Sequence, residues 1–248
     1  MSTENYNKTN KIIALLYSWL KKQTSAESLA ILERKQTEIR QNLLERNLFI
    51  AFSSVSRYLS QQKLELSTEE LQAANELIIG WNPIHWTLEQ LGRTWLILSF
   101  PQVDEDSYVA TLDKIFAAAD VREAIALYQS LSLLPYPEQF QLRAAEGVRS
   151  NITSVFNAVA LYNPYPAKYL DDLAWNQMIL KALFIGSPLK PIYGLERRNN
   201  PELSQMLIDY AHERLAAKRT VNSELWQLVA PFNSQAVVDL KLAFNQVQ

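Results

Sequence analysis

The chain has two histidines, His85 and His212, and no cysteine, which limits metal binding and acid–base chemistry by histidine and excludes a cysteine nucleophile or thiolate metal site. The pair His212-Glu213 begins a zinc-protease motif, but the second histidine of that motif is replaced by Ala216. The pair Asp171-Asp172 begins an aspartate-rich magnesium motif, but Trp175 stands where its third aspartate would be. Helix capping explains these two carboxylates without a metal. We therefore predict no metal, no cofactor and no catalytic residue.

The first cluster of polar residues lies between Arg143 and Asn151. Arg143, Glu146 and Arg149 recur at steps of three residues, which places them on one side of a helix. They could orient a carboxylate, phosphate or carbonyl ligand, or they could form a solvated row of ion pairs. Gly147 costs a helix interior about 1 kcal/mol relative to alanine, and such a glycine often indicates close approach by another segment or a ligand. Both interpretations stay open, with Glu146 and Arg149 as candidate binding residues.

A second cluster lies on a helix that ends at Phe184 and is apolar on nearly all sides. Such a helix is expected to be buried, so its polar residues Asn176, Gln177 and Lys181 need partners or line a cavity. Gln177 and Lys181 are four residues apart and share a face of the helix. The alternative is a lysine whose stem packs on the core while its amine reaches solvent.

A third cluster surrounds the helix that Pro201 begins. Arg197 and Arg198 precede this helix, and guanidinium groups beside a helix N-terminus can hold an anion. Asp209 and His212 share a face of the same helix, so the carboxylate could orient the imidazole. The alternative is a loop held by its arginines, together with a surface contact between histidine and aspartate.

Six of the candidate residues are expected to line one cavity, because buried polar groups often satisfy one another around a shared space. They are Glu146, Arg149, Asn176, Lys181, Arg198 and His212, with Trp175 beside them. Their surplus of positive charge would suit an anionic or carbonyl-bearing aromatic metabolite. The alternative is a set of separate structural contacts. The tryptophans are expected to serve mainly as packing residues.

Helical periodicity and capping residues predict the elements that position these clusters. Alternating strands bounded by turns are missing, so the sequence predicts an all-α fold of antiparallel helix pairs, arranged as an irregular α-α superhelix or a helical bundle. One helix is expected to start at Asn82-Pro83, and one long helix is expected to run from Pro137 to about Tyr162. Further predicted helix starts lie at Ser67 with Glu70, Asp104, Asp120 with Glu123, Asp171 and Pro201.

Composition excludes several classes of protein. With 24 basic and 26 acidic residues, the formal charge of -2 argues against nucleic-acid binding. The apolar run from Ile12 to Leu20 is about half of the roughly 20 residues that a spanning helix needs, so we expect a cytoplasmic protein without a membrane span. No linker composition divides the chain. We expect a single domain over 1–248, in which 1–66 form a flanking helical layer.

A series of short motifs lies in a fixed order along the segment 133–232. They are Leu134–Pro137, Arg143–Asn151, Asn163–Ala167, Ala174–Met178, Lys181–Phe184, Gly194–Leu195, Arg198–Leu203 and Asp209–Arg214. With these motifs, the segment resembles the EboA family of bacterial metabolite-traffic proteins, which are encoded in ebo gene clusters. One departure is Leu215, where the family pattern has a tryptophan.

This resemblance implies a role in moving precursors of secondary metabolites across or towards the membrane. In cyanobacteria such cargo includes the precursor of the sunscreen pigment scytonemin. The implied partners are a small metabolite and the other ebo-cluster proteins, and the resemblance supplies no catalytic residues. Two alternatives remain at this point. One is an enzyme that modifies a prenylated or cyclitol-like precursor, with Glu146 and His212 as proton-transfer groups. The other is a helical scaffold for partner proteins.

Overall fold

The computed structural model describes residues 3–42, 44–101 and 104–247. These residues form helices connected by turns, and their only β pairing is an isolated bridge between Lys63 and Thr87. The predicted all-α fold is therefore confirmed. Among the same residues, no helix is long and apolar enough to cross a membrane.

The contacts of the chain divide it into two compact units, 1–163 and 164–248. The single domain predicted from sequence stays a prediction. The helices of the first unit are α1 Thr3–Gln23, α2 Ala26–Asn42, α3 Glu45–Ser54, α4 Thr68–Leu77, α5 Leu88–Leu98, α6 Glu105–Ala118, α7 Val121–Ser130, α8 Gln141–Arg149 and α9 Thr153–Ala160. Those of the second unit are α10 Tyr165–Tyr169, α11 Asp172–Ile185, α12 Pro201–Ala216, α13 Glu224–Val229 and α14 Ser234–Val247.

Helix α5 is the central helix of the first unit, and α1, α2, α3 and α7 pack against it. All of its residues except Gln90 are buried. The burial includes an ion pair between Glu89 and Arg93, and Arg93 also donates to the carbonyl oxygen of Phe52 at 3.3 Å. Pairing and hydrogen bonding offset part of the large cost of burying charged groups. This network holds α5 to the end of α3.

Local capping produced most of the predicted helix starts. The side chains of Ser67 and Asp120 accept hydrogen bonds from the backbone N–H three residues later, and a glutamate at that position bonds back in both cases. Asp104 and Asp171 each accept the same backbone bond without the reciprocal glutamate. Because such contacts span only three residues, the sequence alone predicts them.

Two predicted helices are wrong in their extent. The segment expected to form one helix from Pro137 consists of a 3-10 turn over Pro137–Phe140, α8, a turn, and α9. The hydroxyl of Ser150 accepts from the N–H of Ile152 in that turn, which allows α9 to fold back on α8. The helix expected at Asn82-Pro83 begins only at Leu88, after a cap by Thr87, because residues 81–87 form turns that end in the isolated bridge.

Candidate functional site

The first predicted cluster lies on α8 in the first unit, where Arg143 anchors that helix to α6. Its guanidinium donates to Asp113 at 2.7 Å and to Glu146 at 2.9 Å, and it lies 5.7 Å from the centre of the Phe116 ring. Glu146 and Arg149 are exposed. Arg143 therefore has a structural role, because it joins α8 to α6. The two candidate binding residues, Glu146 and Arg149, face solvent on α8.

The second predicted cluster lies on α11, and this helix is less buried than its composition indicates. Trp175 and Asn176 are buried, Lys181 is half-buried, and Gln177 is exposed. Partial burial lowers the pKa of Lys181 below its usual value. The prediction that α11 is buried on nearly all sides is wrong for the side that carries Gln177, where Phe184 is 71% exposed.

The third predicted cluster contributes one half-buried cation, Arg198, to the second unit. The guanidinium carbon of Arg198 lies 4.8 Å from the centre of the Trp175 ring, a cation–π distance. The same guanidinium donates to the carbonyl oxygens of Pro166 at 3.2 Å and Leu170 at 2.7 Å, and to Asp172 at 2.5 Å. Arg198 therefore binds the carbonyl groups around α10 and joins that helix to the start of α11.

The other members of the third cluster, Arg197, Asp209 and His212, are exposed to solvent. Arg197 is exposed, and its guanidinium carbon is 5.4 Å from the ring of Tyr193. Asp209 is exposed and accepts a hydrogen bond from Gln205 at 2.9 Å. His212, one turn further along α12, is exposed as well.

Two asparagines join α11 to α12 side by side. The amide nitrogen of Asn176 donates to the side-chain oxygen of Asn200 at 3.1 Å, and Asn200 donates back at 2.9 Å. Asn200 also caps α12 by accepting from the N–H of Leu203. Asn176 is 4% exposed, so this reciprocal pair satisfies an amide that would otherwise be buried without a partner.

Three buried polar atoms of residues on or next to α11 and α12 have no hydrogen-bond partner in the described part of the chain. They are the indole nitrogen of Trp175, the side-chain oxygen of Asn199 and the hydroxyl of Ser204. Trp175 is 0% exposed and Ser204 is 2% exposed. We call Trp175, Asn176, Arg198, Asn199, Asn200 and Ser204 the α11–α12 junction. Its unpaired atoms are one N–H donor, one hydroxyl and one oxygen acceptor.

Sequence reasoning found part of this junction and missed the rest. It named Asn176 and Arg198, but it did not name Asn199 or Ser204 as binding residues. The available signal was the position of Ser204, which is four residues after the cap Asn200 and therefore on the same side of α12. The buried Glu89–Arg93 pair of α5 was also missed, although its spacing of four residues is typical of a helical ion pair.

The six residues expected to line one cavity divide between the two units. Glu146 and Arg149 belong to the first unit, whereas Asn176, Lys181, Arg198 and His212 belong to the second. Within the second unit, Asn176 and Arg198 are part of the junction, and His212 lies on the exposed side of α12. The single shared cavity stays a prediction. Across the described residues, no group of three or more histidine, aspartate or glutamate side chains could hold a metal ion.

Comparison with known proteins identifies a family match. The family model described as metabolite traffic protein EboA matches residues 12–230 of the 248. A search of curated proteins and a search of solved structures find no significant match. The match extends well beyond the 133–232 segment that carries the resemblance in sequence, and it includes the α11–α12 junction.

Proposed function

This chain belongs to the EboA family of metabolite traffic proteins, and we propose that it binds a small secondary-metabolite precursor at the α11–α12 junction. In this proposal the protein acts in the cytoplasm, leaves the metabolite chemically unchanged and passes it to other ebo-cluster proteins. The observation that carries the proposal is the set of three unpaired buried polar atoms at the junction.

An unpaired buried polar group destabilises a folded protein by about 1–3 kcal/mol, because it loses its hydrogen bonds to water. A ligand that supplies the missing bonds recovers that free energy on binding. Carbonyl or carboxylate oxygens can accept from the Trp175 indole N–H or from the Ser204 hydroxyl. A hydroxyl or N–H of the ligand can donate to the Asn199 oxygen. The complementary ligand is therefore a small molecule with a carbonyl or carboxyl group and a separate donor.

Binding without chemistry is favoured by the positions of the residues that an enzyme would need. Glu146 and His212, the two groups proposed for proton transfer, are both exposed. A general acid or base works best beside its substrate in a site that excludes water. The junction itself contains amides, a hydroxyl, an indole and one arginine, which suits recognition.

The junction is tested with a panel of aromatic keto acids and hydroxylated aromatic carboxylic acids as probes. Binding is measured by calorimetry and by the rise in melting temperature of the purified chain. We expect Ser204→Ala to weaken binding roughly 2- to 12-fold, which corresponds to one hydrogen bond of about 0.5–1.5 kcal/mol. Without a probe, the same variant should be as stable as the natural chain or more stable, because it loses an unpaired hydroxyl.

The matched control is Gln205→Ala, which changes the next residue on the exposed side of α12. It should leave probe binding unchanged. Equal binding by the natural chain and by Ser204→Ala would contradict the site, as would failure of every probe to bind. Native mass spectrometry of the chain purified from its own organism then identifies the small molecule that travels with it.

A further inference from the structure

The ion pair between Arg198 and Asp172 joins two side chains that differ in burial. The Nη2 atom of Arg198 donates to a carboxylate oxygen of Asp172 at 2.5 Å. The side chain of Arg198 is 15% exposed, whereas that of Asp172 is 81% exposed. An ion pair with one member mostly in solvent contributes little to stability. The aspartate is therefore the member that another anion can replace.

Arg198 does not need Asp172 to keep its position. Its Nη1 atom donates to the carbonyl oxygens of Leu170 at 2.7 Å and Pro166 at 3.2 Å, and its guanidinium carbon lies 4.8 Å from the centre of the Trp175 ring. Both N–H bonds of Nη1 are thus used by the chain itself. Because carbonyl groups and an indole carry no net charge, the guanidinium still favours an anion beside it.

The opposite edge of the guanidinium consists of Nε and Nη2. The N–H bonds of this edge run in parallel, and their spacing matches the two oxygens of a carboxylate. All hydrogen bonds from the Arg198 side chain to the described residues start from Nη1 or Nη2, and Asp172 is the acceptor for Nη2. Nε is also not among the fully buried unpaired atoms of those residues. A ligand can therefore reach the Nε–H.

We propose that the Nε–Nη2 edge of Arg198 binds the carboxylate of the metabolite, and that Asp172 occupies this edge in the free protein. The inference rests on the proposed function for its ligand, and it narrows that ligand to a carboxylic acid. Asp172 bonds to the edge through Nη2 alone, whereas a free carboxylate can bond to Nε and Nη2 together. Asp172 then moves into the solvent that already surrounds most of its side chain.

This exchange selects acids over neutral molecules of the same shape. A carboxylate replaces the negative charge that Asp172 removes from the guanidinium, so the ion pair is exchanged and not lost. A neutral amide cannot replace that charge, and Asp172 keeps the edge. Selectivity then comes from competition within the chain as well as from contacts with the ligand.

Asp172→Asn tests the competition, because asparagine keeps the shape of the side chain and removes its charge. The probes are benzoate and benzamide, which have the same shape and differ in charge. We expect benzoate to bind Asp172→Asn roughly 2- to 5-fold more tightly than it binds the natural chain, since the competing contact is an exposed ion pair. Benzamide should bind the two proteins equally weakly.

The Nε–H of Arg198 reports binding directly in a proton–nitrogen correlation NMR spectrum. Its signal is the arginine signal that is missing from Arg198→Lys; if that variant does not fold, assignment through the bonds of the side chain identifies the same signal. Benzoate should shift this signal in the natural chain, and at lower concentrations in Asp172→Asn. An arginine with a purely structural role would show no such shift.

Glu202→Gln is the matched control. Like Asp172, Glu202 is an exposed acidic residue in the first turn of a helix of the second unit, but it is not the ion-pair partner of Arg198. Its replacement removes the same charge and should leave the affinity for benzoate unchanged. Circular dichroism confirms that each variant retains the helical spectrum.

Three results would overturn the inference. One is equal affinity of the natural chain and Asp172→Asn for benzoate. Another is an equal gain in Glu202→Gln, which would indicate general charge repulsion. The third is an Nε–H signal of Arg198 that does not shift with benzoate in Asp172→Asn.

These outcomes are separate from failure of the proposed function. If Ser204→Ala weakens binding of the aromatic acids while Asp172→Asn has no effect, the metabolite site stands and the exchange at Arg198 is wrong. If Ser204→Ala has no effect while benzoate shifts the Nε–H signal of Arg198, the carboxylate site stands and the metabolite site at Ser204 is wrong.

Discussion

Replacing Gly147 with alanine should destabilise the first unit, although alanine is the better helix former. A Cβ atom at position 147 would lie 2.6 Å from a methyl group of Val159 and 2.7 Å from the ring of Tyr128. Real Cβ atoms essentially never approach other atoms this closely, so one of the two neighbours has to move. Val159 and Tyr128 are both buried, and both have stiff side chains.

The magnitude follows from two opposing contributions. Overpacking a well-filled core costs about 1–3 kcal/mol, and two stiff neighbours place Gly147→Ala near the upper end of that range. The gain in helix propensity from glycine to alanine is about 1 kcal/mol. We expect a net loss of about 2 kcal/mol in the free energy of unfolding. For a unit of this size, that loss lowers the melting temperature by roughly 4–8 °C.

The assay is thermal unfolding followed by circular dichroism at 222 nm, with a second substitution that removes the contact. Val159→Ala deletes the nearer methyl groups, so it should be less damaging in the Gly147→Ala chain than in the natural chain. The difference between the two backgrounds measures the coupling of the two positions, which we expect to be about 1 kcal/mol or more. An unchanged or higher melting temperature for Gly147→Ala would refute the packing explanation of this glycine.

Three further predictions concern buried polar groups. Asn200→Ala removes the cap of α12 and leaves the buried amide of Asn176 without its partner. It should therefore lower the free energy of unfolding, measured in urea, by about 2–4 kcal/mol. The control Asn233→Ala removes only the cap of α14 and should lower it by about 1 kcal/mol. Arg198→Lys should lower the melting temperature, because an ammonium group does not reproduce the planar stacking on the indole together with bonds to several carbonyl groups. Burial raises the pKa of Tyr108 above its usual value of about 10, so the folded state resists an ionisation that the unfolded chain undergoes. The free energy of unfolding that this group contributes is complete below pH 10 and decreases as the pH rises further. Tyr108→Phe should therefore lose less stability than the natural chain between neutral and alkaline pH. An identical dependence of unfolding free energy on pH for the two proteins would contradict this prediction.

The sequence predicted helix starts better than helix lengths. Asp104, Asp120 and Asp171 cap helices as expected, because each side chain bonds to a backbone N–H only three residues away. The break between α8 and α9 was missed, because Ser150 and Ile152 are compatible with a continuing helix in isolation. The turn forms where α9 packs back on α8, with Val159 beside Gly147.

The candidate site was predictable only in part for a similar reason. Asn176 was singled out because a buried amide needs a partner, and the structure supplies that partner in Asn200, 24 residues further along. For Arg198 the sequence left open an anion-binding role or a loop held by its arginines. Its guanidinium binds carbonyl groups around α10 and stacks on Trp175. An arginine before a helix start has the same appearance in sequence whether its donors face a ligand or the chain itself.

The sequence by itself determined the all-α class, most of the helix starts and the membership in the EboA family, because each depends on residue types and short spacings along the chain. Tertiary structure decided which polar groups are satisfied and which side of α11 stays exposed. The composition of α11 predicts burial on nearly all sides, and the folded chain covers only the side that carries Trp175. Whether a side chain is covered depends on segments that return from distant positions, and hydrophobicity along one helix does not contain that information.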